Sequence, residues 1–130
     1  MMKSVVLAFA AAAFATAAFA APMTTTVAMG TNTILADAKG MVLYTYDRDT
    51  KGTPASACIT TCPATWLAFT AAATDKGEGD WTIVSGLDKG GKAVKQWAYK
   101  GKPVYYYVKD TKPGDATGDG VGGMWHVVKL

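Results

Sequence analysis

Residues 39–51 and 100–112 of this chain are two versions of one phrase, written sixty-one positions apart. Lys39-Gly40-Met41-Val42-Leu43-Tyr44-Thr45-Tyr46-Asp47-Arg48-Asp49-Thr50-Lys51 aligns without a gap on Lys100-Gly101-Lys102-Pro103-Val104-Tyr105-Tyr106-Tyr107-Val108-Lys109-Asp110-Thr111-Lys112. Each copy holds Tyr-x-Tyr-x-x-Asp, and each runs on toward a tryptophan, Trp66 or Trp125. A fixed-period match of this kind means that the architecture is built from two related units. In an extended strand Tyr44 and Tyr46 project from one face and Leu43 and Thr45 from the other; Tyr105 and Tyr107 repeat the pattern against Val104, Tyr106 and Val108. Asp49 and Asp110 then fall where a turn begins, and an Asp there folds its carboxylate back on nearby backbone N–H groups. The doubled motif therefore reads as strand plus turn with aromatics closing a core, and ligand binding by the tyrosines is the competing reading.

The first twenty residues are of a different kind. Lys3 supplies a positive start, and from Val5 to Ala20 only Thr16 is not apolar. Ala18-Phe19-Ala20 offers a cleavage site before Ala21, so the segment reads as a secretory signal peptide, too short for a stable membrane span. No cysteine stands at the cleavage point, and no lipid anchor is evident. The exported remainder, residues 21–130, fits one domain. Without Lys3 the formal charge falls from +3 to +2, and the lysines are interleaved with aspartates. Nucleic acid as a partner is excluded on that ground.

Beyond the signal there is no amphipathic helix, only short β-branched and aromatic runs separated by Gly, Pro and Asp. Strands are expected over 24–29, 33–36, 42–47, 81–85, 94–99, 104–108 and 124–128, with one helical turn near 63–66. Asp88-Lys89-Gly90-Gly91-Lys92 makes a hairpin turn, since glycine supplies the positive φ such loops need. The fold class is all-β: a small meander, barrel or sandwich of about seven or eight short strands. Its two related units span about 33–69 and 94–130.

Tyr44-x-Tyr46-x-x-Asp49 and Tyr105-x-Tyr107-x-x-Asp110 resemble the Yx(FWY)xxD motif of the bacterial secreted repeat of unknown function, a family of predicted lipoproteins. Leu35 to Gly40, the cysteine pair followed by Trp66, Gln96-Trp97-Ala98-Tyr99 and the closing Trp125-His126-Val127-Val128 fit the same family. The resemblance covers nearly all of the chain after the signal. It departs in two places: there is no lipobox, and the Trp-Pro-Pro of relatives is here Trp66-Leu67-Ala68. The resemblance implies an exported repeat protein and brings no activity or catalytic residues with it.

Cys58-Ile59-Thr60-Thr61-Cys62 carries the sharpest chemistry. In an oxidising compartment the two cysteines of one chain form a disulfide, here closing a short local knuckle. Such a loop contributes only about 2 kcal/mol by the chain-entropy argument. The competing reading is a copper site: Cys-x-x-x-Cys-Pro resembles the motif of Sco-type copper chaperones, with His126 as the distant ligand. The βαβ pattern that accompanies that motif is absent. Haem attachment is excluded by spacing, and zinc by the shortage of thiols and imidazoles. A loose calcium site in the 110–120 loop competes with a solvated Gly-Asp loop, and an EF-hand is ruled out by His126 at its twelfth position.

Trp66, Trp97, Tyr99 and Trp125 are candidate aromatic binding residues, because such faces bind sugars, peptides or quinone-like rings as readily as they fill cores. No nucleophile, base and acid set assembles, which argues against a hydrolase. The sequence thus predicts an exported, non-enzymatic, periplasmic or extracellular binding or envelope-interaction module that needs no cofactor. Its function is sought at the loops of 50–65 and 111–123, which meet at one end if the units pack face to face. The alternative is an extracytoplasmic copper-binding or thiol-redox protein using Cys58, Cys62 and His126.

Overall fold

The computed structural model describes residues 20–49 and 62–130. The signal peptide and the Cys58–Cys62 bridge fall on or depend on positions outside those residues. Within them the protein is almost all β, with nine strands in three antiparallel sheets, none closed into a barrel. Strands β1 (Thr24–Met29) and β2 (Asn32–Asp37) form a hairpin. A four-stranded sheet has the order β4 (Trp66–Ala68), β8 (Tyr105–Tyr107), β3 (Tyr44–Tyr46), β9 (Trp125–Val127). The third sheet comprises β5 (Trp81–Leu87), β6 (Ala93–Tyr99) and β7 (Lys102–Pro103). One helical turn, Cys62–Thr65, precedes β4, and a 3₁₀ turn, Val121–Gly123, precedes β9.

The four-stranded sheet is where the repeat becomes visible in three dimensions. β4 and β3 belong to the first unit, β8 and β9 to the second, so every neighbour in the sheet comes from the other unit. Tyr44 is the register partner of Tyr105, its own counterpart, which places a local two-fold axis between them. Trp66 pairs with Tyr107 on one side and Tyr46 with Trp125 on the other, related by that axis. The units therefore interleave strand by strand in this sheet, because each strand's unpaired N–H and C=O groups find their ladder in the other unit.

The chain changes sheet at two equivalent corners. Leu43 N–H donates to Leu35 C=O and Val104 N–H to Trp97 C=O, after which each strand enters the four-stranded sheet. Both corner side chains are fully buried. The expected strand over 104–108 is seen as β8, and β7 precedes it with Val104 as the bend between them. Buried Gln96 braces this corner by donating from Nε2 to Val104 C=O at 2.9 Å. Gly86 makes room for it, since a Cβ there would stand 2.1 Å from Gln96 Oε1.

Alternation then divides the interior into two clusters. Tyr44, Trp66, Tyr105, Tyr107, Trp125 and Val127 face one side with Ile34 and Val42. Leu35, Leu43, Trp81, Trp97 and Val104 form the other, with Tyr106 and Val128 packed against it. At the centre of the first cluster four rings run in series: Tyr46 on Trp125 (4.3 Å between centroids), Trp125 on Trp66 (3.8 Å) and Trp66 on Tyr107 (4.1 Å). Tyr44 meets Trp66 edge-on at 5.3 Å and Tyr105 meets Trp125 edge-on at 5.1 Å, again related by the axis. Offset stacks and edge contacts of this kind contribute about 0.5–1.5 kcal/mol per pair beyond their burial.

Candidate functional site

The repeated motif is the natural first place to look for a site. Asp49 N–H donates to Tyr46 C=O and Asp110 N–H to Tyr107 C=O, so each Tyr-x-x-Asp is a closed turn. The carboxylates do not simply fold back, however. Tyr44 Oη donates to Asp110 Oδ2 at 2.5 Å, and Tyr105 Oη donates to Asp49 Oδ2 at 2.7 Å. Each unit's first tyrosine is held by the other unit's aspartate. Asp110 Oδ1 also accepts from Thr117 N–H at 3.0 Å, and Gly118 N–H donates to Tyr44 Oη at 3.1 Å. Burial first, then the hydrogen bond to Asp110 and the surrounding negative charge, push the Tyr44 phenol far above its ordinary value. Tyr106 is raised likewise, by burial and by its bond to Asp37 Oδ2 at 2.7 Å. These hydroxyls are structural donors held in the neutral form, and the motif is a reciprocal latch.

The aspartates of the 110–120 loop are similarly engaged. Asp115 Oδ2 accepts from Thr111 N–H at 3.0 Å and Lys112 N–H at 3.2 Å, and these bonds lower its carboxyl. Asp119 Oδ1 accepts from Val127 N–H at 3.0 Å along the edge of β9. The three carboxylates point to three different backbone segments. Among the described residues no three His, Cys, Asp or Glu side chains are grouped to hold a metal ion.

Of the four aromatics expected to offer a binding face, Trp66 (4% exposed), Trp97 (3%) and Trp125 (5%) lie in the interior. They are core because the alternation that aligns the tyrosines carries the tryptophans to the same sides. Tyr99 is different. It ends β6 at the mouth of an open cleft of about 230 Å³, lined by Thr45, Tyr99, Lys100, Lys102, Val128 and Lys129. Its ring is held against Trp81 at 4.9 Å, and Lys100 Nζ stands 5.5 Å from its centroid.

The cleft is assembled from residues far apart in sequence. Tyr99 and Lys102 are the closing pair of a two-residue hairpin loop, Lys100-Gly101, in which both residues take positive φ (50° and 86°). That is the backbone of a type I′ turn, which favours Asn, Asp or Gly over lysine. Thr45 faces the cleft because its neighbours Tyr44 and Tyr46 face the aromatic core. His126 is the register partner of Thr45, and Asp47 and Val128 follow two residues along each strand, so all four share the face opposite the aromatic stack. His126 Nε2 lies 2.9 Å from Asp47 Oδ2, and both side chains are about half exposed (44% and 47%). The copper set of Cys58, Cys62 and His126 depends on side chains outside those described; His126 itself is held by Asp47.

The family model described as the secreted repeat of unknown function matches residues 23–70 and again residues 88–129. The chain belongs to this family. Two matches, one per interleaved unit, are what the latch and the local two-fold axis require of the family's repeat. The family's description as secreted makes the protein an exported one. No helix among the described residues is long and apolar enough to cross a membrane. No curated protein and no solved structure matches the chain.

Proposed function

We propose that the protein is a non-enzymatic binding module of the periplasm or cell exterior, with the cleft beside Tyr99 as its recognition surface and an envelope or extracellular molecule as its partner. The observation that carries this reading is the lining itself: three lysines and one aromatic ring, with no carboxylate among the six residues. Small concave surfaces with few, convergent polar groups are the usual form of ligand sites. The absence of a catalytic role is supported by the commitment of the motif's phenols and carboxylates to one another. His126 is bonded to a carboxylate, without a nucleophile in the pair. The reading needs no cofactor.

Sedimentation with insoluble cell-wall polymer and with immobilised acidic polysaccharide tests it. The exported chain is expected to co-sediment with at least one of them, and Thr45→Trp, which adds an indole to the lining, is expected to abolish this. Equal sedimentation of the two proteins would sink the cleft as the recognition surface.

A further inference from the structure

We infer that the cleft takes a single anionic sugar residue, a pyranose ring bearing a carboxylate or a phosphate, an assignment that rests on reading the cleft as a binding surface. Four observations converge on that chemistry. The positive charge comes from Lys100, Lys102 and Lys129, and Arg48 is not in the lining. Ammonium groups act as separate point charges that can meet an oxyanion from several sides, without imposing the fixed fork of a guanidinium. Beside them the Tyr99 ring, 4.9 Å from the Trp81 ring, offers aromatic surface of the kind on which sugar C–H groups stack. Thr45 supplies a hydroxyl able to donate and accept, matching a ring hydroxyl, and Val128 an apolar contact.

Size narrows the ligand further. About 230 Å³ lies below the range of about 300–1,000 Å³ usual for drug-sized ligands. It suits one ring and excludes burial of an oligosaccharide, while the open side lets a polymer continue into solvent.

The backbone adds independent weight. Lys100 is the one non-glycine residue with positive φ among the described residues. In the first copy of the phrase only Gly40, not Lys39, takes that region. A lysine kept where asparagine or glycine is the easier choice is local strain, and strain of this kind gathers at ligand-holding positions. Here it projects an ammonium over Tyr99, at the mouth of the cleft.

The test is a heteronuclear NMR titration of the exported chain at low salt with glucuronic acid, glucose 6-phosphate, glucose, inorganic phosphate and polygalacturonate. The two charged sugars are expected to shift Tyr99, Thr45 and Val128, and glucose to leave them unmoved at the same concentration. Lys102→Met and Lys129→Met, whose unbound spectra report that the fold is intact, are each expected to weaken binding about tenfold, as loss of a charge-assisted contact does. A free monosaccharide as the source predicts saturation by the monomers; an envelope polymer predicts tighter binding of polygalacturonate at the same resonances. Glucose binding as well as glucuronic acid would overturn the anionic class and leave the cleft a binding surface. Phosphate shifting the lysines with nothing gained from the sugar ring would overturn the sugar. Lysine variants that bind polymer at full strength through the cleft would overturn the inference while the broader reading stands.

Discussion

At the scale of single residues the energetics turn on the latch. Replacing Tyr44 by Phe strips Asp110 Oδ2 of a donor and Gly118 N–H of an acceptor, both buried. A hydrogen bond to a charged group is worth about 1.5–3 kcal/mol. Tyr44→Phe is therefore expected to cost about 2–3 kcal/mol, on the order of 10 °C in Tm, and a double-mutant cycle with Asp110→Asn to return a coupling of at least about 1 kcal/mol. Gly118→Ala is expected to be as harmful for a steric reason. A Cβ there would stand 2.7 Å from the Trp66 ring and 2.9 Å from that of Tyr107. Alkali attacks the same place. The phenols of Tyr44 and Tyr106 are raised in the folded state above their ordinary value of 10.0. The folded protein then holds protons that the unfolded chain releases, so their stabilisation is complete below pH 10 and falls as pH rises beyond it. Urea midpoints measured from pH 8 to 11.5 are expected to be flat to about pH 10 and then to drop, less steeply in Tyr106→Phe. Lys100→Asn should move the other way, gaining up to about 1 kcal/mol by relieving the left-handed backbone while losing anion affinity.

At the scale of elements the interleaved sheet leads. No strand of it is paired within its own unit, so neither half of the chain can satisfy its ladder alone. Fragments 21–75 and 76–130 are each expected to be unfolded by circular dichroism, and their equimolar mixture to recover a β spectrum; a folded half would refute the dependence. Trp66→Ala and Trp125→Ala break the ring stack at symmetric points. Each is expected to cost about 3–5 kcal/mol, enough to unfold most of a marginally stable domain. Much of this scale was legible in the sequence. The doubled phrase marks two units, period-two alternation turns Tyr44, Tyr46, Tyr105 and Tyr107 to one side, and the Gly and Asp cluster marks the turn at 88–92. The three-residue β4 was not legible, because so short a run after a helical turn carries no period. Nor was the crossing of the latch. Asp49 and Asp110 have the same local sequence whether they cap their own turns or reach the other unit, and only long-range pairing decides between them.

For the whole molecule, only Tyr99 of the proposed recognition surface was legible in the sequence. Thr45, the 99–102 hairpin and the 128–129 tail are brought together by tertiary pairing alone, and three lysines scattered among thirteen basic residues form no run. Trp66, Trp97 and Trp125 read equally as core or surface from their large apolar area, and burial places them in the core. Binding at the cleft is expected to weaken as ionic strength rises, since the lysines are exposed or half-exposed charges. Isothermal titration in low and physiological salt checks this, and affinity independent of salt would argue against a charge-led interaction.

The alternating origin of the strands also sets a timetable. β3 emerges early in the chain, yet both strands that flank it, β8 and β9, lie in the second unit. Leu130, far along the chain, donates its N–H to Thr33 C=O. A chain emerging from its N-terminus therefore gains both neighbours of β3 only once residues 105–127 are present.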